Sequence, residues 1–307
     1  MSFVQGLRTT KMTKSLKKIF KIVGIIIVLL IIGILGLGFY FYKTNPMFKA
    51  IVNNDESKLF YFPSKKMSAI NDLDYYEKVI KVDDSINIYT YQFKTISPKK
   101  ANIFLIHGGG GNISTYQDLI RPLVKNGFAV YAFDWRGFGK SNGIPNYKGV
   151  LEDTEVAFKD FLNMTKNDTV KTVVYGMSLG GQLAVKISKE NQTKINLLVL
   201  DGSIESAQSL AYDFSPISFL KEKAKNSPQD FNQEYVAVKD IKYIENISKI
   251  IIQSKIDQNV PLIRGKHLFE AAKEPKTFWE TNTEHIMTLV DLPNETIEKI
   301  EKQLNIK

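Results

Sequence analysis

The stretch Val173 to Val185, VVYGMSLGGQLAV, sets a serine between glycines where a β-branched run gives way to a helix-like one. Gly176, Met177, Ser178, Leu179 and Gly180 form a G-x-S-x-G pattern in the strand, turn and helix context that this motif requires. A strained turn at the end of a strand projects the serine hydroxyl, and its flanks come so close to neighbouring main chain that Cβ atoms would collide there. The helix that follows aims free N–H groups and its positive dipole end at the same point, which suits an oxygen that becomes negative during reaction. The chemistry on offer is nucleophilic attack by Ser178.

A serine hydroxyl is a weak nucleophile near neutral pH and needs a base, most often a histidine held in one tautomer by a carboxylate. The chain has three histidines. His107 directly follows the apolar run IFLI and precedes four glycines, too early in chain order for the base of this motif. His267 lies in the helix-like LIRGKHLFEAA and reads as a solvated surface imidazole. His285, in TNTEHIMTL after the strand-like KTFWE, is the expected base, because serine, acid and histidine follow in that order. Two carboxylates end strands and compete for the role of acid. Asp257 follows IIIQSK and precedes the turn-rich QNVPL, whereas Asp201 ends LLVL and also reads as a cap for the next helix. Chain order favours Asp257.

The stretch HGGGGN, His107 to Asn112, supplies another part. Consecutive glycines let backbone approach a ligand closely, so the N–H groups of Gly109 and Leu179 are the expected oxyanion donors. No G-K-[ST] follows and the spacing misses the dinucleotide fingerprint, which argues against a phosphate loop. Asp134 and Arg136, in DWRGFGKS, read as structural groups at a turn.

These residues need a scaffold that presents strand ends. YYEKVIKVDDSINIYTYQFKT reads as a hairpin turning at Asp83, Asp84 and Ser85, followed by strands in ANIFLIHGGGG, GFAVYAFDWRG, KTVVYGMS, INLLVLDGS and KIIIQSKID. Helix-like stretches at 115–126, 149–164, 180–190 and 262–272 lie between or after them. Such alternation predicts an α/β fold with a mostly parallel sheet and helices on both faces, and runs such as IFLI and LLVL suit strands buried on both sides. Residues 203–240 interrupt this rhythm and are expected to form a small helical cap. Leu210, Tyr212, Phe214, Ile217, Phe219 and Leu220 within it are candidates to line one wall of an acyl pocket or to pack the cap onto the sheet.

From Ile22 to Tyr42 the chain carries 21 residues without a charge, which at about 1.5 Å per residue reach roughly 30 Å, one bilayer core. Arg8, Lys11, Lys14, Lys17, Lys18 and Lys21 precede it with no acid among them, so the N-terminus is expected in the cytoplasm and the rest of the chain on the other side. A cleaved signal peptide is the competing reading, but the apolar run exceeds an ordinary signal core. The expected division is a basic tail over 1–21, a transmembrane anchor over 22–42, a neck over 43–71 and a catalytic domain over 72–307. Six of the nine net positive charges belong to the tail, so the domain shows no nucleic-acid footprint. With no cysteine, disulfides, thiolate metal sites and a cysteine nucleophile are excluded. No cofactor and no metal site are expected.

From KLFYFPS through IHGGGGN, FDWRGFGKSNGIPN, YGMSLGG, SKIDQNVP and EHI, the chain resembles the α/β-hydrolase superfamily, particularly the Bem46-like membrane-anchored serine hydrolases. The resemblance covers about residues 58–290 and implies an N-terminal membrane helix followed by one hydrolase domain, with a triad at Ser178, Asp257 and His285. It departs from the family at Ser254, where glycine is frequent, and at Glu284, where glycine or aspartate is more usual. The implied activity is hydrolysis of an ester, thioester or amide through an acyl-enzyme, with a small-molecule or lipid-like acyl ester as substrate. Two other readings use the same residues: a catalytically retired hydrolase fold that binds a ligand or partner, and an acyltransferase. Fold alone does not choose among them.

Overall fold

Lys14–Thr44 is one helix, α1. Thr13 starts it, its hydroxyl oxygen accepting from Leu16 N–H at 3.4 Å. The helix begins before Ile22 because Lys14, Leu16, Lys17, Lys18 and Lys21 are good helix formers that continue the turn into the apolar run. Its best 18-residue window has a mean hydropathy of 3.1, and none of its side chains is buried. Asn45 ends it and caps the next short helix, Pro46–Val52, through Phe48 N–H at 2.9 Å. The computed structural model describes residues 13–53, 55–215 and 218–306, so Arg8, Lys11, Pro216 and Ile217 lie outside the described residues.

The chain divides into two units, one ending at Leu59 and one running from Phe60. The second therefore takes in the latter part of the segment expected as a neck. It does so because Phe62–Pro63 pairs in parallel with Gly110–Gly111.

The second unit is built on eight strands: β1 Tyr75–Lys81, β2 Asn87–Phe93, β3 Ala101–Ile106, β4 Phe128–Asp134, β5 Lys171–Met177, β6 Leu197–Asp201, β7 Ser248–Ser254 and β8 Lys276–Thr281. They lie in the order β8-β7-β6-β5-β3-β4-β2-β1. Only β2 runs against its neighbours. Period-two alternation decides which residues face which layer. Phe104 and Ile106 of β3 turn to one face with α3 (Tyr147–Thr165) and α4 (Gly180–Glu190). Ile103 and Leu105 turn to the other with α2 (Gln117–Lys125) and α8 (Pro293–Leu304). Each large side chain buried in these layers contributes about 1.5–3 kcal/mol relative to exposure. This is the mostly parallel, doubly covered sheet expected; α8 and the Phe62–Pro63 pairing were not legible beforehand.

The 203–240 insert carries α5 (Ala207–Phe214) and α6 (Ser218–Asn226). Ser206, not Asp201, caps α5, its hydroxyl oxygen accepting from Ser209 N–H at 2.9 Å. Leu210 packs against the core, whereas Phe214 and Phe219 stand 56% and 74% exposed. Arg264 on α7 (Leu262–Ala271) grips Asp213 of α5 with a two-pronged bond at 2.8 and 2.7 Å, and Glu205 at 2.7 Å.

A second arginine fork fixes α3 to the end of β4. Arg136 gives its main-chain N–H to Asp153 Oδ2 at 2.7 Å and its Nη2 to Asp153 Oδ1 at 2.7 Å, with Asp153 fully buried. Removing Asp153 takes away the buried partner and leaves Arg136 only Glu152, 3.1 Å from its Nη2 and 39% exposed. Asp153→Ala is expected to lower the unfolding free energy by about 3–5 kcal/mol, read as a shift in the urea midpoint of the detergent-solubilised chain; an unchanged midpoint would refute the role given to this pair.

Candidate active site

Ser178 stands at the carboxyl end of β5 with φ at 51°, in the left-handed region. For a residue with a Cβ this conformation costs on the order of 1–3 kcal/mol and persists only where surroundings impose it. Here they do. Ser178 N–H donates to Asp201 O at 3.0 Å, and its own carbonyl accepts from Gly181 N–H at 3.0 Å and Ile204 N–H at 3.3 Å. Gly180 needs its missing side chain, since a Cβ there would lie 2.5 Å from the Ile106 carbonyl oxygen. Only so can α4 begin directly above the strand ends, with its first N–H groups beside the serine.

The expected acid and base come from adjacent loops. Asp257 follows β7 and His285 follows β8, and His285 Nδ1–H donates to Asp257 Oδ2 at 2.7 Å. The other oxygen, Oδ1, accepts from Asn259 N–H and Val260 N–H, each at 2.8 Å, while Gln253 Nε2 reaches Oδ2 at 3.3 Å. A carboxylate so supplied with donors is held in one orientation. Ser254 adds a cross-link: its hydroxyl donates to Thr283 O at 2.6 Å and accepts from Ile256 N–H at 3.2 Å. It ties the two loops together. Ile286, directly after His285, has φ at 57°, a strained value for a β-branched residue. Gly202 lies against the imidazole, where a Cβ would come within 3.1 Å of Cε1 and Nδ1. The segment Asp201–Ile204 thus touches both the Ser178 turn and His285.

Opposite the serine lies the glycine loop. A Cβ on Gly108 would sit 3.2 Å from Ser178 Cβ, and one on Gly109 3.2 Å from Leu179 Cδ2. Neither Gly109 N–H nor Leu179 N–H has an acceptor among the described residues. The two expected oxyanion donors are therefore neighbours and free to receive a ligand oxygen.

The remaining candidates are placed otherwise. Asp201 does not cap a helix. It is fully buried behind the site, accepting from Tyr175 OH at 2.8 Å and Thr288 Oγ1 at 3.3 Å. Burial pushes its carboxyl up to about 6; the Tyr175 hydroxyl and then His285 pull it back, and Asp257 opposes them. A row of hydroxyls, Thr281, Thr283 and Thr288, leads from β8 to it at 3.3 and 3.5 Å. His267 is only partly solvated: its Nδ1 lies 2.7 Å from Glu205 Oε2. His107 is fully enclosed by Tyr116, Trp135 and Phe138, and burial drives its imidazole down to about 4, so it is neutral at neutral pH. Asp134 binds buried backbone through Ile113 N–H at 2.7 Å, and burial raises its carboxyl to about 7. Among the described residues no cluster of acids and histidines has the makings of a metal site.

Comparison with known proteins bears on this geometry. A family model described as serine aminopeptidase, S33, matches residues 97–249, a span that includes Ser178 and ends before Asp257 and His285. YfhR of Escherichia coli O157:H7 is 29% identical over 177 residues, covering 57% of this chain and 59% of its own length. The protein bem46 of Schizosaccharomyces pombe is 26% identical over 139 residues, 44% of this chain and 46% of its own. The matched stretches thus span less than two thirds of these relatives. Among solved structures, the Pyrococcus furiosus esterase Pf2001 superposes with a TM-score of 0.61 at 19% identity, covering 80% of this chain and 98% of that one. An α/β hydrolase from Vibrio vulnificus does so with a TM-score of 0.64 at 19% identity, covering 83% and 93%. The sheet order, the glycine-flanked serine on β5 and these likenesses agree: the chain belongs to the α/β-hydrolase superfamily and is Bem46-like.

Proposed function

We propose that this chain is a membrane-anchored serine hydrolase that cleaves an ester, thioester or amide of a small-molecule or lipid-like acyl compound through an acyl-enzyme. The observation that carries the reading is the 2.7 Å bond between His285 Nδ1 and Asp257 Oδ2, made on loops that share the Asp201–Ile204 segment with the strained Ser178 turn. Ser178 Oγ attacks the acyl carbon while His285 Nε2 takes its proton, and Asp257 holds the imidazole in the tautomer that leaves Nε2 free. The carbonyl oxygen becomes negative and is received by Gly109 N–H and Leu179 N–H, each such donor supporting the transition state by roughly 3 kcal/mol. His285 then returns the proton to the departing alcohol, thiol or amine. Water, activated by the same imidazole, attacks the acyl-serine and releases the acid.

The anchoring half of the proposal rests on α1. Its 31 residues extend about 46 Å at 1.5 Å each, enough to cross a bilayer with turns to spare. Basic residues before the apolar run argue for a cytoplasmic N-terminus. Protease added outside intact or outer-membrane-permeabilised cells is then expected to digest the hydrolase unit; digestion only after lysis would reverse the orientation.

Fluorophosphonate labelling tests the chemistry: the wild type is expected to label and Ser178→Ala is not. A wild type that stays unlabelled sinks the hydrolase reading. The two carboxylates separate by substitution. Asp257→Asn is expected to lower kcat by about four orders of magnitude, as an amide holds the wrong tautomer, whereas Asp201→Asn has a mild effect. Reversed outcomes would move the acid to β6. Asp201 has a second, independent signature. Its carboxyl rises from 3.8 to about 6 on folding, so the native chain holds an extra proton between those values and loses stability as pH climbs through them. Asp201→Asn lacks that loss. Its urea midpoint is expected to gain on the wild type between pH 4 and pH 6, measured side by side.

A further inference from the structure

The glycine loop that faces Ser178 has no side chains of its own to fix it, and each glycine has wide conformational freedom. Yet every carbonyl from Gly108 to Gly111 is engaged. Gly108 O lies 2.6 Å from His107 Nδ1, Gly109 O accepts from Phe62 N–H at 2.7 Å, Gly110 O accepts from Tyr116 OH at 3.0 Å, and Gly111 O accepts from Ser64 N–H at 2.8 Å. Gly108 N–H is engaged too, donating to the Tyr116 hydroxyl at 3.1 Å. Against this pattern Gly109 N–H stands without an acceptor among the described residues. Gly109 is only partly buried and packs against Leu179, so its unclaimed N–H is open to a ligand acceptor.

Two elements impose that arrangement. One is Tyr116, whose single hydroxyl takes a bond from Gly108 and gives one to Gly110. The other is the segment Phe60–Lys66, the first stretch of the second unit. It crosses the loop so closely that a Cβ on Gly109 would lie 2.6 Å from the Phe60 carbonyl oxygen. Asn112 secures the segment, its buried amide donating to Ser64 O and Lys66 O at 2.9 Å each. Phe62 itself is 56% exposed, so its side chain contributes little here and its main-chain N–H does the holding.

We propose that Phe62, Ser64 and Tyr116 are positioning residues for the oxyanion hole: two main-chain N–H groups and one phenol set the peptide planes of the glycine loop, so that Gly109 N–H stays aimed at the developing oxyanion. The inference rests on the hydrolase reading above. It makes the stretch that follows directly on the N-terminal unit in sequence part of the catalytic apparatus, acting through Gly109 without touching substrate.

The test uses the full chain in detergent or nanodiscs with a soluble nitrophenyl ester. Phe62→Pro deletes the N–H, Phe62→Leu keeps it, and Tyr116→Phe deletes the hydroxyl should Phe62→Pro fail to fold. Phe62→Pro and Tyr116→Phe are expected to lower kcat by about 10- to 100-fold with KM nearly unchanged, less than outright loss of an oxyanion donor. Affinity for a phenylboronic acid, which forms a tetrahedral adduct on serine, should fall by the same factor as kcat/KM, while Phe62→Leu matches the wild type. A merely structural role would lower the melting temperature and leave the ratio of boronate affinity to KM unmoved. Folded variants with kcat within about twofold of wild type, or a Phe62→Leu loss equal to that of Phe62→Pro, overturn the inference. Wild-type labelling by fluorophosphonate alongside such a result would leave the hydrolase reading standing.

Discussion

The site depends on one contact of backbone against backbone. Gly180, the first residue of α4, lies against the carbonyls of Ile106 and His107 at the end of β3, with no space for a side chain between them. That approach brings three things into register that are far apart in sequence. The α4 N-terminus meets the glycine loop, the Ser178 turn is pressed into its left-handed conformation, and Leu179 comes to rest beside Gly109. Protein interiors transmit displacement because they are closely packed. A methyl group at Gly180 would therefore separate Gly109, Leu179 and Ser178 at one stroke.

Two aspartates at neighbouring strand ends show how surroundings assign roles to identical chemistry. Asp257 receives two main-chain N–H groups and an imidazole, donors that fix the carboxylate in one orientation. Asp201 receives a phenol and a threonine hydroxyl in a fully buried place, and burial lifts it to about 6. Hydroxyls can turn to serve either protonation state. The first environment suits a group that must hold an imidazole in one orientation. The second suits a support that holds the β6 end, Thr288 and the histidine loop together.

What the sequence disclosed follows from how local each demand is. The serine turn was legible because steric crowding dictates glycine at fixed offsets around Ser178, and the strands because IFLI and LLVL are buried on both sides. Chain order singled out His285, which the fold sets against Asp257. Asp201 was misread as a helix cap because its partners, Tyr175 and Thr288, lie on other elements and leave no local pattern. The pairing of Phe62–Pro63 with Gly110–Gly111 was invisible for a different reason. It is made by main chain alone, in residues with no hydrophobic alternation to betray a strand. Ser254 drew notice as a departure from the family, and the fold gives it a use: a hydroxyl bond to Thr283 O.

The proposed base, His285, hangs from the outermost strand. β8 pairs on one side only, along Lys276 to Thr281, and most of that strand is only half buried. Edge elements open by local fluctuation at free energies below that of global unfolding. His285 is therefore carried by a part of the sheet expected to fray early, while Ser178 and the glycine loop sit in the middle of it. Because Ser254 couples the β7 and β8 loops, an opening that begins at β8 takes the imidazole and loosens its carboxylate together. Thermal inactivation of such a molecule would be a matter of amide exchange along one strand, with Ser178 still folded and still in place when His285 has gone.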